Sequence, residues 1–190
     1  MKPGASTNDI YISLGANLAS AACSPRATCE AALRRLDALG ARVVRRSRWF
    51  RSAPVPVSDQ PWFVNGVAEI GWTGSPEALL SLLHAVEAAL GRQRRERNEA
   101  RTIDLDVLAM GDLVRQSPPV LPHPRLHERA FVLRPLADLA TKWRHPVSGR
   151  SIAEMIAALP PDQITEPLED DSLGGSEPCA PPAGHGMKNG

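Results

Sequence analysis

At 190 residues, with 43% hydrophobic and 23% charged residues and a formal net charge of +1, the chain has the make-up of one ordinary globular domain with length left over for a tail. A domain of this size buries roughly two-thirds of its unfolded surface and needs no disulfide or metal staple. No apolar run approaches the roughly 18 residues that cross a bilayer, and the near-neutral balance gives no global reason to bind nucleic acid or an anionic membrane. The opening MKPGASTNDIYISLGANL lacks the apolar stretch of a secretory signal. Cys23, Cys29 and Cys179 are odd in number and show no CxxC spacing, so they read as free thiols in a reducing compartment. The expectation is a cytoplasmic protein.

DIYISLGANL opens with Ile10 and Ile12 around Tyr11 and breaks at Gly15 and Asn17, the pattern of a strand ending in a turn. SPRATCEAALRRLDALG has Ser24 as N-cap, Pro25 at the first helical position, Ala32, Leu33, Leu36 and Leu39 at helical spacing, and Gly40 at the end. That predicts an amphipathic helix. ARVVRRSRWFRS reads as one imperfectly alternating strand, APVPVSDQP as a proline-rich loop and WFVNGVAEIGW as the next strand, antiparallel to its predecessor. Loops of that length in compact domains are often functional. SPEALLSLLHAVEAALGR repeats the helix grammar with Ser75, Pro76 and Glu77, and TIDLDVLAMG is the fourth strand.

This order predicts an α+β fold: a ferredoxin-like antiparallel sheet (βαββαβ) with both helices on one face. The other face is left for SPPVLPHPRLHERAFVLRPLADLA and a short helix in GRSIAEMIAALP, or for a ligand. After about Pro160 the composition turns to proline, glycine and acids. Residues 1–160 are therefore expected to form a single domain and 161–190 a disordered tail.

The chemistry concentrates in RTIDLDVLAM. In a strand, Asp104 and Asp106 point the same way, about 6.5–7 Å apart, while Ile103, Leu105 and Val107 point the other way. Two carboxylates on one face are costly unless cations neutralise them. Oxygen-only ligands suit Mg²⁺, which is commonly held by one or two carboxylates plus substrate phosphates. An isolated D-x-D is more often a pair of surface acids. Arg92, Arg94, Arg95, Arg97 and Arg101, clustered in GRQRRERNEAR, change that balance, because guanidiniums beside a metal-binding pair are what a polyphosphate requires. The competing reading of the run is a solvated helix end.

In DQPWFVNG, Trp62 and Phe63 supply aromatic planes and Asn65 a side-chain amide, which together suit a flat heterocycle. The competing reading puts Phe63 in the core and Asn65 in a turn. LPHPRLHERAF offers His123, Arg125, His127, Arg129 and Phe131; Pro124 and the lack of HExxH favour phosphate contact over zinc. A rival from another class is a nucleic-acid-binding module, but such a sheet needs aromatics with Lys and Arg where this one carries Asp104 and Asp106. A second rival, a different Mg²⁺-dependent nucleotidyl or phosphoryl transferase, shares the metal logic and differs in the acceptor pocket.

In order, YISLGANL, QPWFVNGVAEI, GRQRRERNEARTIDLDVLAMG and LPHPRLHERAFVLRPLADLA resemble the 6-hydroxymethyl-7,8-dihydropterin pyrophosphokinase family over roughly residues 9 to 160. The resemblance implies a monomer that moves the β,γ-diphosphate of ATP onto a dihydropterin alcohol in folate biosynthesis, with neither nucleic acid nor membrane as partner. It implies two Mg²⁺ ions on Asp104 and Asp106, with Arg92 and Arg101 on the transferring diphosphate and Arg94 assisting. Glu87, Val107, His123 and Arg129 would contact the nucleotide. Phe63 and Phe131 would sandwich the pterin ring, with Asn65, Ser52, Ala53 and Val55 at its edge. The family closes ordered loops over its substrates. This chain departs from the pattern at Asn98, Glu99 and Ala100, where many members carry Trp-Gly-Pro, and at His84 and Pro124.

Overall fold

The computed structural model describes residues 9–19, 23–92 and 100–169. Its strands are β1 (Ile10–Ala16), β2 (Arg42–Arg46), β3 (Phe50–Ser52), β4 (Phe63–Gly71), β5 (Asp104–Met110) and β6 (Thr165–Pro167), and its helices α1 (Pro25–Ala38), α2 (Pro76–Ala89), α3 (Ala130–Leu139) and α4 (Ile152–Ala157). The strands form one antiparallel sheet in the order β5-β1-β4-β3-β6, with β2 beside β3 along β4.

The two long helices start where local chemistry dictates. Ser24 Oγ accepts from the Ala27 N–H at 3.2 Å and Ser75 Oγ from the Ala78 N–H at 3.1 Å, each followed by a proline whose missing N–H costs the helix nothing. Just past the helix ends, Gly40 and Gly91 adopt φ of 92° and 85°, the left-handed turn that favours glycine. The apolar stripes of α1 and α2, with Leu33, Leu36, Leu79 and Leu83, pack on Ile12, Leu14, Ile70, Leu105 and Val107 of the sheet. On the opposite face, α3 and α4 bring Leu133, Leu136 and Met155 against Tyr11, Val67 and Leu108. Leu108 and Ala109, consecutive in β5, both serve the α3–α4 layer because the β1–β5 register shifts between Tyr11 and Ile12, leaving Leu108 as the extra residue.

Three expectations are corrected. The single strand expected over residues 42–52 is broken into β2 and β3 at residues 47–49. Pairing with β4 passes from Arg46↔Ala68 to Phe50↔Asn65, one residue out of step. In between, the Ser47 N–H donates to the Val67 carbonyl at 2.9 Å, Ser47 Oγ accepts from the Val67 N–H at 3.1 Å, and Trp49 turns into the α1–α2 core. Order also continues past Pro160. β6 pairs with the edge of β3, the Leu168 N–H donates to the Trp49 carbonyl at 2.8 Å, and Leu168 packs on the core. A three-residue strand draws its stability from the edge it covers, which composition does not register; residues 170–190 lie outside the described residues.

The third correction is that Cys23 is disulfide-bonded, not a free thiol; an odd cysteine count leaves room for one pair. Cys29 is free and buried in α1, and burial pushes its thiol above the usual range. Cys179 lies outside the described residues. Among those residues no helix is long and apolar enough to cross a membrane.

Gly66 in β4 lies flat against Trp49: a Cβ there would sit 2.6 Å from the indole ring. Gly66→Ala is predicted to lower the unfolding free energy by about 1–3 kcal/mol, the usual cost of overpacking. Urea unfolding checks this, and an unchanged midpoint and slope would contradict it.

Candidate active site

A cavity of about 230 Å³ opens on the sheet face opposite α1 and α2, walled by the 53–62 loop and by residues that lead into α3. Its floor is set by strand register. Gly15 of β1 pairs with Asp104 of β5 on one side and with Asn65 of β4 on the other, and Ser13 pairs with Asp106. Asp104, Gly15 and Asn65 therefore lie in one row across three strands. A Cβ on Gly15 would stand 3.2 Å from Asn65 Oδ1, so the glycine keeps the floor open between the carboxylates and the amide.

The acidic end is built around Asp104. Arg92 Nη1 lies 2.6 Å from its Oδ1, and Arg101 Nη1 pairs with its Oδ2. Arg92 also pairs with Glu87 Oε1. Glu87 is 1% exposed on α2, and its Oε1 accepts the Leu105 N–H at 2.7 Å. A carboxylate so buried is tolerable only when paired and hydrogen-bonded; here it ties α2 to β5 and holds Arg92 rather than lining the cavity.

Arg101 is held through its backbone. Its N–H donates to Asn17 Oδ1 at 2.7 Å, and its carbonyl accepts from the N–H groups of Asn17 and Leu18 at 3.0 and 3.1 Å. The other half of the Asn17 amide donates to Gln60 Oε1 at 3.2 Å and to the Pro61 carbonyl at 3.1 Å. One buried side chain thus links Arg101 to the 53–62 loop.

Burial first, and the neighbouring Asp104 carboxylate second, hold the Asp106 carboxyl above its ordinary range. His123 Nε2 stands 3.9 Å from Asp106 Oδ2. Burial lowers the His123 pKa, and its Nδ1 accepts the Arg125 N–H at 3.2 Å, which leaves the proton of the neutral ring on Nε2 facing Asp106. Among the described residues no three His, Cys, Asp or Glu side chains gather as a ready-made metal cage. A repelling pair of oxygen donors opening into a cavity, with the remaining ligands left to a substrate, fits the way Mg²⁺ is bound.

At the other end, Ser52, Ala53, Val55, Phe63, Asn65 and Phe131 all line the cavity. Asn65 is buried and donates through Nδ2 to Ser52 Oγ at 2.8 Å. Arg129 also lines the cavity and stacks over Phe131, 5.5 Å from its centroid. Trp62 is outside it: 43% exposed, it stacks with Arg51 at 5.3 Å.

Of the expected nucleotide residues, Arg101 and Arg129 reach the cavity, whereas Arg92 and His123 approach it through Asp104 and Asp106. Val107 is 3% exposed in the core beneath α2. Arg94, Asn98 and Glu99 lie outside the described residues. Ser13, Gly15, Asn17, Gln60 and Gln163 were not expected as site residues. The break at Gly15 and Asn17 marks the first strand's end, but the long-range pairing that gives these residues their positions has no local signal.

Residues 11–141 match the family model described as 7,8-dihydro-6-hydroxymethylpterin-pyrophosphokinase (HPPK). The chain belongs to that family. It is 42% identical over 153 residues to the 2-amino-4-hydroxy-6-hydroxymethyldihydropteridine pyrophosphokinase of Pseudomonas aeruginosa, covering 80% of this chain and 91% of that one. It is 40% identical over 156 residues to the enzyme of the same name from Methylorubrum extorquens, covering 81% and 95%. Among solved structures, an HPPK-DHPS in complex with substrates superimposes with a TM-score of 0.61 at 12% identity, over 79% of this chain and 43% of that one, which bears on the fold alone. The family match ends at residue 141, so α4 and β6 lie beyond it.

A folded-state pKa above the ordinary 3.8 means that the folded chain binds the Asp106 proton more tightly than the unfolded chain, so stability is lost as pH rises through that window. The cost is present at neutral pH and absent below the unfolded value. In thermal melts without ligand, Asp106→Asn is predicted to raise the midpoint at pH 7 and to converge on the wild type as the pH falls below that value. A variant no more stable than wild type at pH 7 would contradict the account.

Proposed function

We propose that this site transfers the β,γ-diphosphate of ATP to the hydroxymethyl group of 6-hydroxymethyl-7,8-dihydropterin, releasing AMP, the reaction for which the family is named. The observation that carries the reading is the register row Asp104–Gly15–Asn65, which sets a carboxylate pair and an acceptor-reading amide in one cavity.

Phe63 and Phe131 take the pterin ring between them, and Asn65 with the Ser52–Ala53 edge reads its polar rim. This aims the hydroxymethyl group along the floor towards Asp104 and Asp106. Those carboxylates would hold two Mg²⁺ ions, which would supply positive charge to offset that of the polyphosphate.

Arg92 and Arg101 now sit on Asp104. When the polyphosphate enters, they exchange that carboxylate for phosphate oxygens, each still anchored from behind by Glu87 or Asn17. Arg129 meets the nucleotide from the opposite wall. The acceptor oxygen attacks the β-phosphorus in line; the new O–P bond forms as the bond to the α-phosphate oxygen breaks, the hydroxyl proton passes to solvent, and AMP departs. Such a transfer is mainly positioning plus charge stabilisation, so it needs no protein nucleophile. The strand order, with α1 and α2 on one face, supports the ferredoxin-like arrangement, to which β6, α3 and α4 are additions.

The test is incubation with ATP, Mg²⁺ and the dihydropterin alcohol, then nucleotide analysis. AMP should form only when the pterin is present; ADP, or AMP independent of pterin, would overturn the reading. Asp104→Asn should fold normally and turn over on the order of 100-fold more slowly or worse, the scale of losing a charge-stabilising group at a transition state. Near-normal turnover at saturating Mg²⁺ would refute the metal assignment.

A further inference from the structure

Resting on the reading that Arg129 contacts the nucleotide, we propose that Gln163 is a positioning residue: its side-chain amide brackets Arg129 from both sides and fixes that guanidinium at the cavity wall. Arg129 stands at the N-cap position of α3 yet makes no side-chain cap hydrogen bond, so the first turn of the helix lacks a local acceptor. The acceptor comes from far along the chain. Gln163 Oε1 takes the Ala130 N–H at 2.8 Å, while Gln163 Nε2 donates to the Glu128 carbonyl at 2.8 Å. The peptide units before and after Arg129 are therefore tied to the two halves of one planar amide.

Gln163 is half-buried and lines the cavity beside Glu128, Arg129 and Phe131. Its own position is set by Ile164 and Thr165. The Ile164 carbonyl accepts the Ala53 N–H at 3.3 Å, and Thr165 pairs with Ser52 in the β3–β6 ladder. Residues 163–165 thus join the pterin-side edge of the cavity to the nucleotide-side wall, from a segment beyond the residues that match the family. Only an amide provides a donor and an acceptor at that spacing. Glutamate would keep the acceptor and lose the donor, and leucine would lose both.

A plain helix cap would make the same two hydrogen bonds, so the test must read coupling to Arg129. Binding of Mg²⁺ and α,β-methylene ATP to the full chain is measured by calorimetry for wild type, Gln163→Leu, Arg129→Ala and the double variant. If the amide acts through Arg129, Gln163→Leu weakens analogue binding about tenfold in the wild-type background, the scale of one to two net hydrogen bonds, and has no further effect in Arg129→Ala. Equal losses in the two backgrounds, or no loss in the first, would overturn the proposal. Gln163→Glu, run through the same cycle, covers the case in which the leucine variant does not fold; it should give a smaller loss that also vanishes with Arg129→Ala, and equal losses in both backgrounds would again overturn the proposal. Wild-type protein that forms no pterin-dependent AMP would instead sink the functional reading, whereas active wild type with additive losses would sink only the role of Gln163.

Discussion

Two carboxylates on one face of β5 set the terms for their surroundings. Asp104 and Asp106 repel each other, and burial holds Asp106 above its ordinary range, so the strand carries a charge problem that its own residues do not resolve. Arg92 and Arg101 answer it at Asp104, and each is itself anchored, one by the buried Glu87 and the other by Asn17. Glu87 also takes the Leu105 N–H, so the helix that covers the back of the strand fixes the charges on its front.

The rest of the cavity depends on the sheet that carries this strand. Gly15 removes a side chain between the acidic end and Asn65, leaving a continuous floor between the carboxylates and the amide. The walls are loops, and each is pinned by a distant side chain: the 53–62 loop by Asn17, and the turn before α3 by Gln163. Strands thus supply the carboxylates, the amide and Phe63, α3 supplies Phe131, and pinned loops supply Arg101 and Arg129.

Legibility tracks the range of the interactions. The Ser-Pro starts of α1 and α2 are readable because a cap is satisfied within three residues. The one-sided pair in β5 is readable because alternation is a local rule, and it holds up to the register shift opposite Leu108. The break between β2 and β3 is hidden because it depends on Ser47 and Trp49 meeting Val67 and Gly66 in another strand. β6 is hidden because its ladder with β3 spans more than a hundred residues, in a stretch whose composition resembles a tail. Ser52, Ala53, Val55, Phe63, Asn65 and Phe131 line one cavity, though no local pattern joins them. The family resemblance puts Glu87 at the nucleotide, yet it sits behind Arg92, a distinction only burial reveals.

On the proposed reading, Asp104 exchanges Arg92 and Arg101 for metal, held together with Asp106, when a polyphosphate arrives. Calorimetric titration of α,β-methylene ATP with and without Mg²⁺, on wild type and on Asp104→Asn, tests it most directly. Mg²⁺ should tighten analogue binding by about tenfold or more in wild type, and Asp104→Asn should lose most of that gain. Equal Mg²⁺ enhancement in the two proteins would contradict it.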